Sequence, residues 1–372
     1  MFKRLCYVLS LFVFILSPLG ASAAKVQELT LMTRNLYLGA DLAPVQNAKT
    51  QEEFLAAAQA ALAQIAANNF PERAQALAAE IAEKQPHLVG LQEVFNFMFN
   101  GSNGPPPFRD YLADLLAALT ARGVDYRVAA IVRNFDLQIP LGGNLVGVTD
   151  HDVILARNDV VTSIVPVALS GCRQSLDGCN YRVVASAATP LGTISLERGF
   201  VAVDAKIGNG PVRFVNTHLE LPAKYLDPTN PLSSIFQAAQ AFELISILAG
   251  FPNPLNLPIV VVGDINSSAE DQTLIVGPYT IVPPYMQLVA AGYTDAWTLR
   301  PGKPPGFTCC QAENLLNPDS ILNERIDVTF SGELPVGMVK VNVVGNEETD
   351  KTPSGLWPSD HAGVVTRLKF AP

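Results

Sequence analysis

The residues able to do chemistry together are Asn35, Glu93, His218, Asp264 with Asn266, Asp327, and Asp360 with His361. Each stands at the end of an apolar or β-branched run, which reads as a strand releasing polar side chains where it stops. The clearest case is Pro258 to Asn266, where Ile259-Val260-Val261-Val262 gives way to Gly263, Asp264 and Asn266. A rigid strand ending this way is a platform for a site. If these ends meet, carboxylates, imidazoles and amides share one place. Hard oxygen donors such as Asn35, Glu93 and Asp360 suit magnesium, manganese or calcium rather than zinc. The chemistry that needs such a set is phosphoester hydrolysis. A cation offsets charge on the phosphoryl and leaving oxygens. A carboxylate–imidazole pair deprotonates or orients water. Further imidazole and amide donors hold the remaining phosphate oxygens.

The elements that must position these residues can be read in order. A strand runs from Val26 to Leu36. Helical spacing covers Gln51 to Ala67 and, with Pro71 in its first turn, a second helix to about Lys84. Pro86 to Val94 is a buried strand. The Phe95 to Pro107 stretch, apolar and then rich in Asn, Gly and Pro, reads as a loop beside Glu93. A helix follows over Phe108 to Ala121. Strands are expected at Tyr126–Ile131, Asp152–Ala156, Val160–Leu169, Tyr181–Ala187, Gly199–Ala205 and Val212–Val215, then a helix from about Leu232 to Ala249. The last strands are Arg325–Phe330, Val339–Val344 and Ala362–Phe370. Strands in short runs with helices between them predict an α/β (α+β) chain of two sheets packed face to face, helices outside, in one domain over residues 24–372.

Composition narrows the function. The formal net charge is −9, which gives no general attraction to nucleic acid or anionic membrane. Residues 1–23 read as a secretory signal peptide: Lys3 and Arg4, an apolar run from Leu5 to Leu16, and Ala21-Ser22-Ala23 before the cut. No later segment reads as a membrane span. A secreted or periplasmic protein, acting as a monomer, is expected. Cys172, Cys179, Cys309 and Cys310 remain after the leader, an even number that favours disulfides in an exported chain. Cys172 and Cys179 can close a short loop; the adjacent Cys309 and Cys310 form either a vicinal pair or two bridges elsewhere.

Taken in order, Thr33-Arg34-Asn35-Leu36, Leu91-Gln92-Glu93, Asn216-Thr217-His218-Leu219, Gly263-Asp264-Ile265-Asn266, Arg325-Ile326-Asp327 and Ser359-Asp360-His361 carry a resemblance. The chain, from about Gln27 to its end, resembles the endonuclease/exonuclease/phosphatase superfamily. That resemblance implies a four-layer sandwich, two mixed sheets flanked by helices, and magnesium-dependent hydrolysis of a phosphate ester. It implies Glu93 as the main metal ligand with Asn35 and Asp360 beside it. Asp264 would position or deprotonate water, and Asn266 and His218 would hold the phosphate. His361, paired with Asp327, would act as base or as donor. The family carries one more polar residue between the Glu93 and His218 positions, for which Asp152 is a candidate. Arg198 falls where some members contact phosphate.

The favoured substrate is a lipid headgroup or small phosphate ester. A secreted nuclease is the alternative, opposed by the lack of a basic cluster. A catalytically dead binding module is a third reading, opposed by the retained acids and histidines. No G-x-S-x-G elbow, P-loop or H-E-x-x-H motif is present.

Overall fold

The structure, a computed structural model, describes residues 27–100, 109–141, 143–165, 173–174, 178–208, 210–302 and 304–371. Cys172 and the expected leader lie outside these residues, as do parts of the expected Phe95–Pro107 loop and Val160–Leu169 strand.

Two large mixed sheets form the centre. The first runs, in spatial order, Lys340–Val344, Gly363–Phe370, Gln27–Asn35, Leu88–Gln92, Asn144–Arg157, Asn96–Asn100 and Arg109–Asp110, with Tyr126–Leu141 also paired to Asn144–Arg157. The second runs Thr294–Asp295, Asp327–Ser331, Ile259–Asp264, Gly210–His218, Gly199–Ile207, Gly178–Asn180 and Arg173–Gln174, with Val161–Ile164 beside Gly199–Ile207. Each sheet has one parallel pair at its heart: Gln27–Asn35 with Leu88–Gln92, and Gly210–His218 with Ile259–Asp264. Their registers align Asn35 with Gln92, and His218 with Asp264. Asp264 in turn pairs with Asp327 on the antiparallel neighbour.

An apolar core rich in β-branched residues lies between the sheets, including Val201, Val203, Val260 and Val262. Helices Phe70–Lys84 and Tyr111–Ala121 cover the outer face of the first sheet through Leu77, Ile81, Leu115 and Leu119. Helices Leu232–Gly250 and Pro284–Ala290 cover the second through Leu244, Leu248 and Leu288. The result is helices, sheet, sheet, helices.

The sheets approach closely at Gly90. A Cβ there would lie 2.6 Å from Asn216 Oδ1 and 2.7 Å from Val262 Cγ2. The Asn216 amide uses that closeness. Its nitrogen donates across the gap to Leu91 O (2.9 Å) and Val153 O (3.1 Å), and its oxygen accepts from Gln92 Nε2 at 2.6 Å. A buried amide so fully bonded stabilises one alignment of the sheets.

Three sequence expectations change. Asn96–Asn100 is a strand against Asn144–Arg157, not a loop, because Phe97 has a buried slot beneath the sheet. Around the expected Tyr181–Ala187 strand the chain instead forms a hairpin of Ala185–Thr189 and Gly192–Leu196. Helix Leu232–Gly250 does have the length and apolarity to cross a membrane. Its Ala241, Leu244 and Leu248 are packed in the protein core, however, which accounts for the apolar stretch.

Candidate active site

The two parallel pairs end on the same side, and their polar termini open into one cavity of about 470 Å³. Glu93, Arg198, His218, Asp264, Asp360 and His361 line it. Asn266 lines it too, while Asn35 and Asp327 lie directly behind it, fully buried. Asp264 is the hub. Asn35 Nδ2 donates to Asp264 Oδ2 at 3.1 Å. His218 Nε2 is 3.5 Å from the same oxygen and His361 Nε2 is 3.8 Å from it. Asp264 Oδ1 accepts from Asn266 N at 2.9 Å. Gly263 makes this turn: its φ is +145°, and a Cβ would fall 1.9 Å from Thr217 O.

Asn35 holds a second acid. Its Nδ2 also donates to Glu93 Oε1 at 3.2 Å, and its Oδ1 accepts from Tyr37 N at 2.9 Å. The amide thus turns its nitrogen, not its oxygen, to the carboxylates. Glu93 Oε2 accepts from Leu38 N at 2.7 Å. Asn266 donates through Nδ2 to Leu219 O at 2.9 Å, which ties its loop to the His218 strand.

The two imidazoles differ in charge for visible reasons. His361 Nδ1 is 2.8 Å from Asp327 Oδ2, and its Nε2 is 4.0 Å from Asp360 Oδ1. Burial opposes the charged ring, but Asp327, Asp360 and Asp264 outweigh it and hold the pKa well above the ordinary value. His218 is buried beside a cation: Arg198 Nη1 is 2.9 Å from its Nδ1. Burial, then Arg198, then His361 keep its pKa well below the ordinary value. A guanidinium can only donate, so Nδ1 of a neutral His218 accepts and Nε2–H points toward Asp264.

The carboxylates are crowded. Burial, then Asp327, pushes Asp264 up to about 7. Burial also pushes Asp360 up to about 6, Glu93 adding to it against the pull of His361. Oδ1 of the fully buried Asp327 has no hydrogen-bond partner among the described residues. Asp264, Asp327 and His361 present ligand atoms within 4.8 Å of one another.

Two buried arginines anchor the loops that bring these groups in. Arg34 pairs with Glu80 through Nε and Nη2, both at 3.0 Å, and donates to the His361 carbonyl. Arg73 donates to Leu36 O (2.7 Å), Tyr37 O (3.2 Å) and Pro358 O (3.0 Å). The loops after Asn35 and before Asp360 are thereby joined. His87 and His151 play no part: each ring meets backbone, Thr30 N and Val94 O respectively.

Between Glu93 and His218, Asp150 rather than Asp152 reaches the cavity wall. The two share a strand face, and Asp152 is fully buried behind it. Burial raises both, Asp150 to about 7. The Asp150-His151-Asp152 alternation carried that signal. Glu220, 3.7 Å from Arg198 Nη2, is the acid that helps hold Arg198. Arg198 Nε has no partner among the described residues although it is buried.

Comparison with known proteins gives the family and the fold. The model of the endonuclease/exonuclease/phosphatase family matches residues 63–361. The chain belongs to the endonuclease/exonuclease/phosphatase family. Most members of this family are hydrolases of phosphate esters, phosphodiesterases, phosphatases and nucleases among them. Family proteins of known structure share the fold. One from Leptotrichia buccalis C-1013-b is 18% identical with a TM-score of 0.52, covering 92% of this chain and 100% of its own. One from Bacteroides thetaiotaomicron is 17% identical with a TM-score of 0.52, covering 93% of this chain and 99% of its own. A search of curated proteins returns no match.

Proposed function

We propose that the chain is an exported, divalent-metal-dependent hydrolase of phosphate esters, acting on a lipid headgroup or small phosphate ester. The observation that carries this reading is Asp264 Oδ2, which faces His218 Nε2 at 3.5 Å and His361 Nε2 at 3.8 Å in one buried cavity. The acids fit a hard cation, since carboxylates pushed up by burial and mutual repulsion are relieved by one. Glu93 and Asp360 would hold it, with Asn35 keeping Glu93 in place. A bound divalent cation of this kind, magnesium foremost, neutralises charge on the phosphate and leaving oxygens.

The remaining work falls to side chains. His361 is held charged by Asp327, so it donates to phosphate oxygen and is unsuited to take a proton. Asp264, with a pKa near neutrality, orients the attacking water and accepts its proton. Neutral His218 and Arg198, with its unpaired buried Nε, donate to the other phosphate oxygens. Export rests on the leader pattern of residues 1–23. The even number of cysteines left after the leader accords with an oxidising compartment, where we propose that Cys309 and Cys310 form a vicinal disulfide.

The test is a panel of bis-p-nitrophenyl phosphate, sphingomyelin, an inositol phosphate and plasmid DNA, with magnesium or with EDTA. Magnesium-dependent turnover of a non-nucleic ester is expected. Cleavage of DNA alone would replace the substrate class with nucleic acid, and no turnover of any ester would refute the reading.

A further inference from the structure

An apolar slot opens off the candidate active site. It encloses about 130 Å³, and Gln46 and Thr189 are the two polar residues in its wall. One wall is the far half of the Tyr126–Leu141 and Asn144–Arg157 hairpin. There Phe135, Leu137, Ile139 and Leu141 alternate inward, while Asp136 and Gln138 are exposed. The opposite wall is helix Gln51–Ala67, which presents Phe54 and the small Ala58 and Ala61. Small residues facing large ones leave the space open. Leu38, Leu42, Gln46, Phe95, Phe135 and Leu196 line both this slot and the cavity holding Asp264 and His361. The link is short, because Leu38 N also donates to Glu93 Oε2 at 2.7 Å.

We propose that this slot is a subsite for the hydrocarbon chain of the substrate, making the enzyme selective for phosphate esters that carry an alkyl or acyl tail. The inference rests on the phosphoesterase reading and adds the substrate class. Continuity with the catalytic cavity sets the occupant: a chain attached to a phosphate seated at His361 enters past Leu38 and Phe95. Apolar cavities of roughly 150 Å³ stay dry and take six-carbon guests, so this one has room for about five or six carbons. It is too narrow for a helix, about 10 Å across with its side chains. A nucleoside would expose its polar base and sugar to a wall that offers almost no hydrogen bonds, at a cost.

The experiment is the kcat/KM of the full-length chain with magnesium on p-nitrophenyl alkyl phosphodiesters from methyl to dodecyl, kept below their micelle concentrations. Each methylene is expected to raise kcat/KM about fourfold, equivalent to ~0.8 kcal/mol. The rise should level off after about six carbons. Ala61→Phe, which fills the slot, should flatten the dependence and leave the methyl ester unchanged. Leu137→Asn, on the hairpin wall, serves as the second variant should Ala61→Phe misfold. Turnover of every ester without chain-length dependence would overturn the subsite and leave the hydrolase reading standing. A dependence that appears only above the micelle concentration would replace the slot with a lipid surface. If no ester turns over, the hydrolase reading fails, and thermal shifts by methyl and hexyl phosphate still decide the slot: equal shifts would overturn it.

Discussion

Asp327 Oδ2 sits 2.8 Å from His361 Nδ1, while Asp327 Oδ1 has no partner among the described residues. Asp327 is fully buried, and its one side-chain hydrogen bond among the described residues goes to this ring. That pairing sets both the orientation and the charge of His361.

Asp327→Asn keeps the shape and removes the charge. Burial then acts on the imidazole with less opposition, and its pKa falls. A group needed in its charged form loses activity as pH rises through its pKa. The high-pH limb of the rate profile should therefore move to lower pH in Asp327→Asn, with a rate loss of about 10²–10⁴ at neutrality. An unmoved limb would contradict the role assigned to Asp327.

Asp264 and Asp360 ionise less readily in the folded chain than in the unfolded one, where carboxylates titrate near 4. Their contribution is stabilising below about pH 4 and is lost as pH rises through about 6 to 7. His361, also raised, acts with the same sign, and His218, lowered, with the opposite one. A divalent cation counters the acid term once those acids ionise. Magnesium should raise Tm more at pH 8 than at pH 5. Equal shifts, read by calorimetry, would place the cation elsewhere.

Arg34 and Glu80 are a buried bidentate pair on the path to His361. Arg34→Met strands the Glu80 charge and should cost about 3–5 kcal/mol in urea unfolding. Adding Glu80→Leu should restore most of the stability. It should not restore turnover, because the bond from Arg34 to the His361 carbonyl is still missing.

Gly90→Ala and Gly263→Ala test the two close approaches. At Gly90 the new methyl meets the Asn216 amide between the sheets, a loss of about 1–3 kcal/mol. At Gly263 it meets a backbone carbonyl at 1.9 Å in a conformation strained for any side chain. Gly263→Ala should be the more damaging, and a reversed order in denaturant midpoints would contradict the register derived at Asp264.

Residues near strand ends were legible because the change from β-branched to polar is abrupt, as at Val262-Gly263-Asp264. The layers followed from where apolar runs broke. Other features depended on partners far along the chain. Asp150 and Asp152 look alike until the hairpin shows which one reaches the cavity. Asn35 reads as an oxygen donor until Tyr37 N is found on that oxygen. Arg73, a charge inside an Ala-rich helix, gives no local sign that carbonyls of Leu36 and Pro358 await it. The slot was hidden because its two walls, helix Gln51–Ala67 and the hairpin of Tyr126–Leu141 and Asn144–Arg157, lie far apart in the chain. One half of its alternation, Phe135 to Leu141, contains a proline that obscured the strand.

The central claim is that Asp264 and His361 act on one phosphorus centre beside a hard cation. It is tested most directly by the rate of bis-p-nitrophenyl phosphate hydrolysis at saturating magnesium, in the native chain, in Asp264→Asn and in His361→Ala. The account predicts turnover that EDTA abolishes and a loss of at least about 10²-fold in each variant, with folding intact by circular dichroism. Hydrolysis that survives EDTA, or a variant within a few-fold of the native rate, would contradict it.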